Sequence, residues 1–276
     1  MEEVLQARES YDKRVMPYDY EPTVTITPVI IEGINCYWFT PENPFPQRIV
    51  IFLHGGGFAM GSVRTHGKMV SHFAKELQAK ILFVEYALAP EHPFPAGLND
   101  TLTVYRALTN RYPGYQLNLI GDSAGGSLIV SAVGEMLKIH WPLPGAVVLI
   151  SPWISLECEY PSIEENAHLD ISLNREALQM FARAYTGNTP LEVSSPKKAL
   201  LAQFPPVLIM VGTNEILLDD SKHFYNDIKR IQGRSRLSIY NDQPHVWLKK
   251  DIHKDASRRA LAEMADFIEG AGEAEL

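Results

Sequence analysis

The sequence predicts an open α/β architecture, with a mostly parallel central sheet and helices on both faces. Five near-continuous apolar runs, Arg48 to Leu53, Ile81 to Tyr86, Leu117 to Ile120, Ala146 to Ile150 and Val207 to Val211, carry few polar positions. Strands with one wet face alternate, so these runs fit strands covered on both sides. Between them lie stretches of helical period, and strand alternating with helix is the pattern of βαβ units. At 276 residues the chain suits one large domain, residues 1–276.

In chain order, Thr23 to Ile31 and Asn35 to Thr40 read as two strands joined by a turn at Glu32-Gly33, a hairpin opening the sheet. The strand Arg48 to Leu53 is followed by a helix over Gly67 to Leu77, the strand Ile81 to Tyr86 by a helix over Ala96 to Thr109, and Leu117 to Ile120 by a helix over Ala124 to Lys138. After Ala146 to Ile150 the rhythm breaks. Glu157 to Pro206 holds no strand pattern, only a helix at Arg175 to Tyr185 and a turn-rich tail, too long for a plain connection; residues 157–205 are therefore expected to form a small helical cap. The alternation resumes with Val207 to Val211, a helix over Asp219 to Ile231, a strand near Arg236 to Tyr240 and a last helix over Ala256 to Glu269.

Composition narrows the function classes. Hydrophobic residues make up 46% and charged residues 21%, the balance of an ordinary globular chain rather than a disordered one. The formal net charge is −8 and no stretch gathers Lys and Arg into a stripe, which argues against nucleic acid as a partner. The start, MEEVLQARES, lacks the basic patch and apolar run of a secretory leader, and no segment approaches the ~20 apolar residues of a membrane span. A cytoplasmic protein is expected. Cys36 and Cys158 have no CxxC spacing, so neither a metal site nor a disulfide framework is indicated.

The run RIVIFL ends in His54-Gly55-Gly56-Gly57. Glycines at a strand end supply a tight turn at the least. A dinucleotide fingerprint fails because Met60 stands at its third glycine; a phosphate loop fails because Gly61 and Gly67 are one residue too far apart and Met69 follows Lys68. What remains is bare backbone whose N–H groups can face a developing negative charge, an oxyanion hole. Such a hole demands a nucleophile elsewhere.

Gly121-Asp122-Ser123-Ala124-Gly125 meets that demand: it is G-x-S-x-G between an apolar strand and a helical stretch. A serine on so sharp a turn presents its hydroxyl away from the sheet, whereas a mere helix cap would not need the flanking glycines. Ser123 needs a base and the base an orienting carboxylate, in the chain order serine, acid, histidine. Of the downstream histidines, His140, His168, His223, His245 and His253, only His245 lies in a loop just past a strand, between Pro244 and the apolar Val246-Trp247. The acid should follow "VLIMVGTN"; Glu215 comes first, while Asp219 and Asp220 look like first-turn helix carboxylates.

With these motifs in order, "HGGGF", "YALAPEHPFPA", "GDSAGG", "SPW" and "PHVW", the chain from about Arg48 onward resembles the hormone-sensitive-lipase-like family of α/β-hydrolase esterases. The resemblance implies an α/β-hydrolase fold and a serine carboxylesterase with Ser123 as nucleophile and His245 as base. It also implies an oxyanion hole of the Gly56, Gly57 and Ala124 N–H groups, with Gly55 a further neighbour. The family's acid opens a D-x-L-x-D pattern that here reads Glu215-Ile-Leu-Leu-Asp219, which favours Glu215 and keeps Asp219 as its rival. Family members build part of the cap from an amino-terminal segment, which residues 1–22 would supply; it is short, so the cap should be small and short acyl chains favoured. "YALAPEHPFPA" is expected to brace the site rather than react. No cofactor or metal is required, the partner is a small-molecule ester, and a homodimer is compatible with the sequence. The same triad serves amidases, formamidases and lipases, and the same fold also hosts noncatalytic ligand-binding proteins.

Overall fold

The computed structural model describes residues 2–272; Met1 and residues 273–276 of the expected single domain lie outside the described residues. An eight-stranded sheet forms the centre, in the order β1-β2-β4-β3-β5-β6-β7-β8. The strands are β1 (Val24–Ile31), β2 (Ile34–Pro41), β3 (Arg48–Leu53), β4 (Lys80–Val84), β5 (Gln116–Asp122), β6 (Val147–Ile150), β7 (Val207–Asn214) and β8 (Arg236–Pro244). β2 runs antiparallel to both β1 and β4, and every other pair is parallel. The opening hairpin is thus an antiparallel edge on a parallel sheet, its turn made by Glu32 and Gly33, both at positive φ.

The helices are α1 (Glu2–Asp12), α2 (Val63–Glu76), α3 (Ala96–Arg111), α4 (Ala124–Lys138), α5 (Ser162–Glu165), α6 (Arg175–Thr186), α7 (Leu191–Ser194), α8 (Leu218–Ile228) and α9 (Asp255–Gly272). Strand β3 shows why the run RIVIFL has no polar face. Ile49, Ile51 and Leu53 join one core with side chains of α3, α4, α8 and the 157–205 segment. Val50 and Phe52 point the other way into a second core with Met69, Val70 and Phe73 of α2 and Ala260, Met264 and Ile268 of α9.

Some elements depart from the sequence reading. α2 begins at Val63, not Gly67, because Ser62 and Thr65 form a capping box in a stretch whose polar letters hide the helix. β8 runs through to Pro244, so the segment before His245 is strand rather than loop. α1 was not expected as a helix: of its residues Val4 alone is buried, which leaves almost no apolar stripe to read. Among the described residues no helix is long and apolar enough to cross a membrane.

Candidate active site

The parallel strands β3, β5, β6, β7 and β8 end on one edge of the sheet, about 4.8 Å from neighbour to neighbour. His54, Ser123, Ser151, Glu215 and His245 each follow immediately after one of these strand ends. Topology alone therefore gathers residues that are remote in sequence.

Ser123 sits between β5 and α4 with φ 51° and ψ −120°, a strained conformation for a residue with a side chain. Its N–H donates to the Ile150 carbonyl at 2.9 Å, and its own carbonyl accepts from Ser127 and Trp153. The flanking glycines are required by space. A Cβ on Gly121 would lie 2.7 Å from the Gly125 carbonyl carbon, and one on Gly125 would run into the Leu53 carbonyl. Ala124 opens α4, so its N–H has no partner within the helix and stands at the positive end of the helix dipole.

Gly56 and Gly57 hold φ values of 121° and 61°. Ala59 and Met60 donate their N–H groups to the Gly56 carbonyl, closing a tight turn, and among the described residues the Gly56 and Gly57 N–H groups find no protein acceptor. Gly55 is different: its N–H donates to Asp122 Oδ1 at 3.0 Å. That donor is already used, so Gly55 anchors the loop to the Asp122 side chain. Helix α6 closes over the glycines, since a Cβ on Gly57 would lie 2.6 Å from Phe181 Cγ. Phe58 stacks on Tyr185 of the same helix at 3.7 Å between ring centroids and packs against Trp153.

His245 Nδ1 lies 2.9 Å from Glu215 Oε2. A carboxylate only accepts, so the Nδ1 proton belongs to the imidazole and Nε2 is left as the basic nitrogen. Glu215 is fully buried; its Oε1 accepts from the Ser151 hydroxyl at 2.7 Å and the Gly212 N–H at 2.6 Å. Ser151 also accepts the Val246 N–H at 3.2 Å, so one hydroxyl orients the carboxylate and fixes the histidine's neighbour. Burial presses His245 toward neutrality, but the hydrogen bond and charge of Glu215, with Asp170 and Asp122 adding to them, outweigh it and raise its pKa from the ordinary histidine value. Among the described residues no hydrogen bond joins Ser123 to His245; such bonds tighten when substrate arrives.

Asp219, the alternative acid, is engaged elsewhere: it accepts the Ser162 N–H at 3.0 Å and pairs with Lys222. Asp220 takes the N–H groups of Ile154 and Ser155. Sequence reasoning quoted Ser151 within "SPW" but gave it no place at the site, and it missed Asn166 and Asp170. Asn166 donates to the carbonyls of Thr213 and Glu215, and Asp170 accepts the Ile216 N–H at 2.9 Å. Both are polar letters in an irregular segment, and no spacing rule singles them out. Among the described residues, no group of three or more His, Cys, Asp or Glu is placed to hold a metal ion.

A family model described as the alpha/beta hydrolase fold matches residues 50–249. The chain is 32% identical over 246 residues to an acetyl-hydrolase of Streptomyces hygroscopicus, covering 88% of this chain and 82% of that protein. It is 28% identical over 255 residues to an esterase of Acinetobacter venetianus, covering 91% and 84%. Its fold is similar to the crystal structure of an esterase from the bacterial hormone-sensitive lipase family, with a TM-score of 0.92 at 33% identity over 97% of this chain and 91% of the other. EstE5, in a crystal soaked with p-nitrophenyl butyrate, gives a TM-score of 0.91 at 29% identity, covering 98% and 92%.

Proposed function

Since the chain belongs to the alpha/beta hydrolase family and is a carboxylic-ester hydrolase of the hormone-sensitive-lipase type, we propose that it cleaves short-chain acyl esters through Ser123, His245 and Glu215. The observation that carries this reading is the buried carboxylate of Glu215 on His245 Nδ1, which commits Nε2 to base work at the sheet edge where Ser123 stands.

His245 Nε2 takes the Ser123 proton as Oγ bonds to the ester carbonyl carbon, and the carbonyl electron pair moves to oxygen. The N–H groups of Gly56, Gly57 and Ala124 receive that oxyanion; each such donor is worth ~3 kcal/mol at the transition state. Collapse breaks the bond to the alkoxy oxygen, which leaves with the proton from His245. Water then repeats the sequence on the acyl-enzyme and frees the acid and Ser123. Glu215 holds the Nδ1 proton of His245 and stabilises the imidazolium in both halves.

The short-chain preference is in keeping with Phe181 packed over Gly57 and with the Phe58, Trp153 and Tyr185 cluster beside the proposed oxyanion donors. The name of one relative, an acetyl-hydrolase, and the p-nitrophenyl butyrate soak of EstE5 agree with it. Residues 157–205 act as the cap in this reading, and residues 2–22 brace it.

Turnover of p-nitrophenyl esters from acetate to palmitate, measured beside Ser123→Ala, tests the proposal. Fast hydrolysis of acetate to hexanoate that disappears in the variant is expected. Preference for palmitate or emulsified triglyceride would make the protein a lipase; folded wild type that turns over no ester would point to amides or to ligand binding without chemistry.

A further inference from the structure

We propose that α1 positions the oxyanion loop, with Arg8 as the principal positioning residue; this rests on the esterase reading above. The loop Gly55–Met60 is glycine-rich, and glycine backbone has more conformations to lose than any other. Something must hold its N–H groups in the geometry that receives an oxyanion. The loop's own turn, closed by Ala59 and Met60 on the Gly56 carbonyl, fixes its curvature but not its place relative to Ser123.

Arg8 fixes that place from outside. Its Nε donates to the Ala59 carbonyl at 2.6 Å, Nη2 to the Ala89 carbonyl at 2.6 Å, and Nη1 and Nη2 hold the two oxygens of Glu91 at 2.7 Å each. Ala89 in turn donates its N–H to the Phe58 carbonyl at 2.9 Å. One guanidinium thereby ties the end of the oxyanion turn to the Pro90-Glu91 loop, and that loop ties back to the residue next to Gly57. The planar fork matters, because a lysine ammonium cannot span two carbonyls and a bidentate carboxylate in fixed directions.

The same helix reaches the loop a second way. The Tyr11 hydroxyl contacts Lys249 Nζ, which lies 3.0 Å from His66 Nε2; that nitrogen lies 3.5 Å from Asp122 Oδ2, and Asp122 Oδ1 accepts the Gly55 N–H. His66 and Asp122 are buried, so a shift at either end is not absorbed by solvent. Asp122 is the residue before Ser123. This second path fixes the start of the oxyanion loop to the nucleophile's turn, while Arg8 fixes its end.

The test uses the full chain carrying Arg8→Met, Arg8→Lys, Glu91→Ala or Tyr11→Phe. For each, kcat and KM on p-nitrophenyl acetate are measured with the inhibition constant of an alkyl trifluoromethyl ketone, whose serine-bound hemiketal carries the oxyanion. Loosened donors are felt in the transition state and not in the ground state, so Arg8→Met should lower kcat about 10-fold or more with KM within about threefold. The ketone should weaken in proportion, and Arg8→Lys should recover only part of the loss. Glu91→Ala and Tyr11→Phe, which leave Arg8 in place, should show the same split at smaller size and read the effect even where Arg8→Met does not fold. A kcat and ketone affinity within about twofold of wild type in all four variants would overturn the proposal, whatever happens to thermal stability. A raised KM with kcat intact would overturn it too, by making α1 a substrate wall. Wild type inert toward every ester would instead remove the esterase reading on which it rests.

Discussion

Glu215 and Asp219 stand four positions apart on the same segment, and the spacing pattern alone left the triad acid open between them. Geometry separates them: Glu215 has His245 Nδ1 on one oxygen and two donors on the other, whereas Asp219 holds the Ser162 N–H. Glu215→Gln keeps the size but cannot stabilise an imidazolium, so kcat on p-nitrophenyl acetate should fall by about 10³-fold or more. Asp219→Asn should stay within about tenfold of wild type, since it touches only the cap anchor. The pH profile carries an independent sign. The base must be neutral to act, and Glu215 raises the pKa of His245 against the opposing effect of burial, so the acid limb of kcat/KM should lie above the ordinary histidine value of about 6.5. Loss of that charge in Glu215→Gln should move the limb to lower pH. Equal activity of the two variants, or a limb that does not move, would take Glu215 out of its role.

The segment 157–205 is less a lid than a bracket. Ser162, Asn166 and Asp170 hold the loop that carries Glu215 through Ile216, Thr213 and Glu215 backbone groups; Asp219 of the adjoining helix holds Ser162 in return, and Asp220 holds Ile154 and Ser155, which lead into the segment. Asp220 makes this testable. Burial raises its pKa from 3.8 to about 7 despite the two N–H donors. Between those values the folded chain binds a proton that the unfolded chain has lost, so this group's stabilisation is full below about pH 4 and fades as pH rises through 7. Asp220→Asn retains the acceptor oxygen and has no proton to lose; urea unfolding from pH 5 to 8 should show a shallower decline with pH than wild type. Parallel slopes would mean Asp220 is ionised throughout. What the sequence disclosed at this scale follows from the same physics: β5, its turn and α4 were legible because apolar run, glycine spacing and helical period all changed at once. α1 was not, because it holds on through Arg8 and Tyr11 rather than an apolar stripe, and Ser151, Asn166 and Asp170 were not, because a polar residue in a loop announces nothing until its partner is known.

At the scale of the molecule, the question is whether cap, N-terminal helix and sheet are separable. Ile163 of α5, Leu178, Phe181 and Tyr185 of α6, Phe204 and Val4 of α1 all belong to the same apolar cluster as Ile49, Ile51 and Leu53 of β3 and Leu128 to Val130 of α4. To open the cap would expose part of the sheet's own core, at roughly 25 cal/mol for each Å² of apolar surface uncovered. The proposed triad has the same distribution: Ser123 after β5, Glu215 after β7 and braced by the 157–205 segment, His245 after β8, with the proposed oxyanion glycines gripped from α1. Local melting of any one part would therefore abolish activity, and shared burial makes local melting costly. Two tryptophans report on the shared region, Trp153 between the oxyanion loop and the cap and Trp247 two residues past His245, both buried. Ester hydrolysis and tryptophan fluorescence should accordingly be lost over the same urea range, in a single transition. Activity that disappears at a clearly lower urea concentration than the fluorescence change would show that α1 or the cap unfolds by itself, and that the bracket around Glu215 and the grip on Ala59 are weaker than their hydrogen bonds suggest.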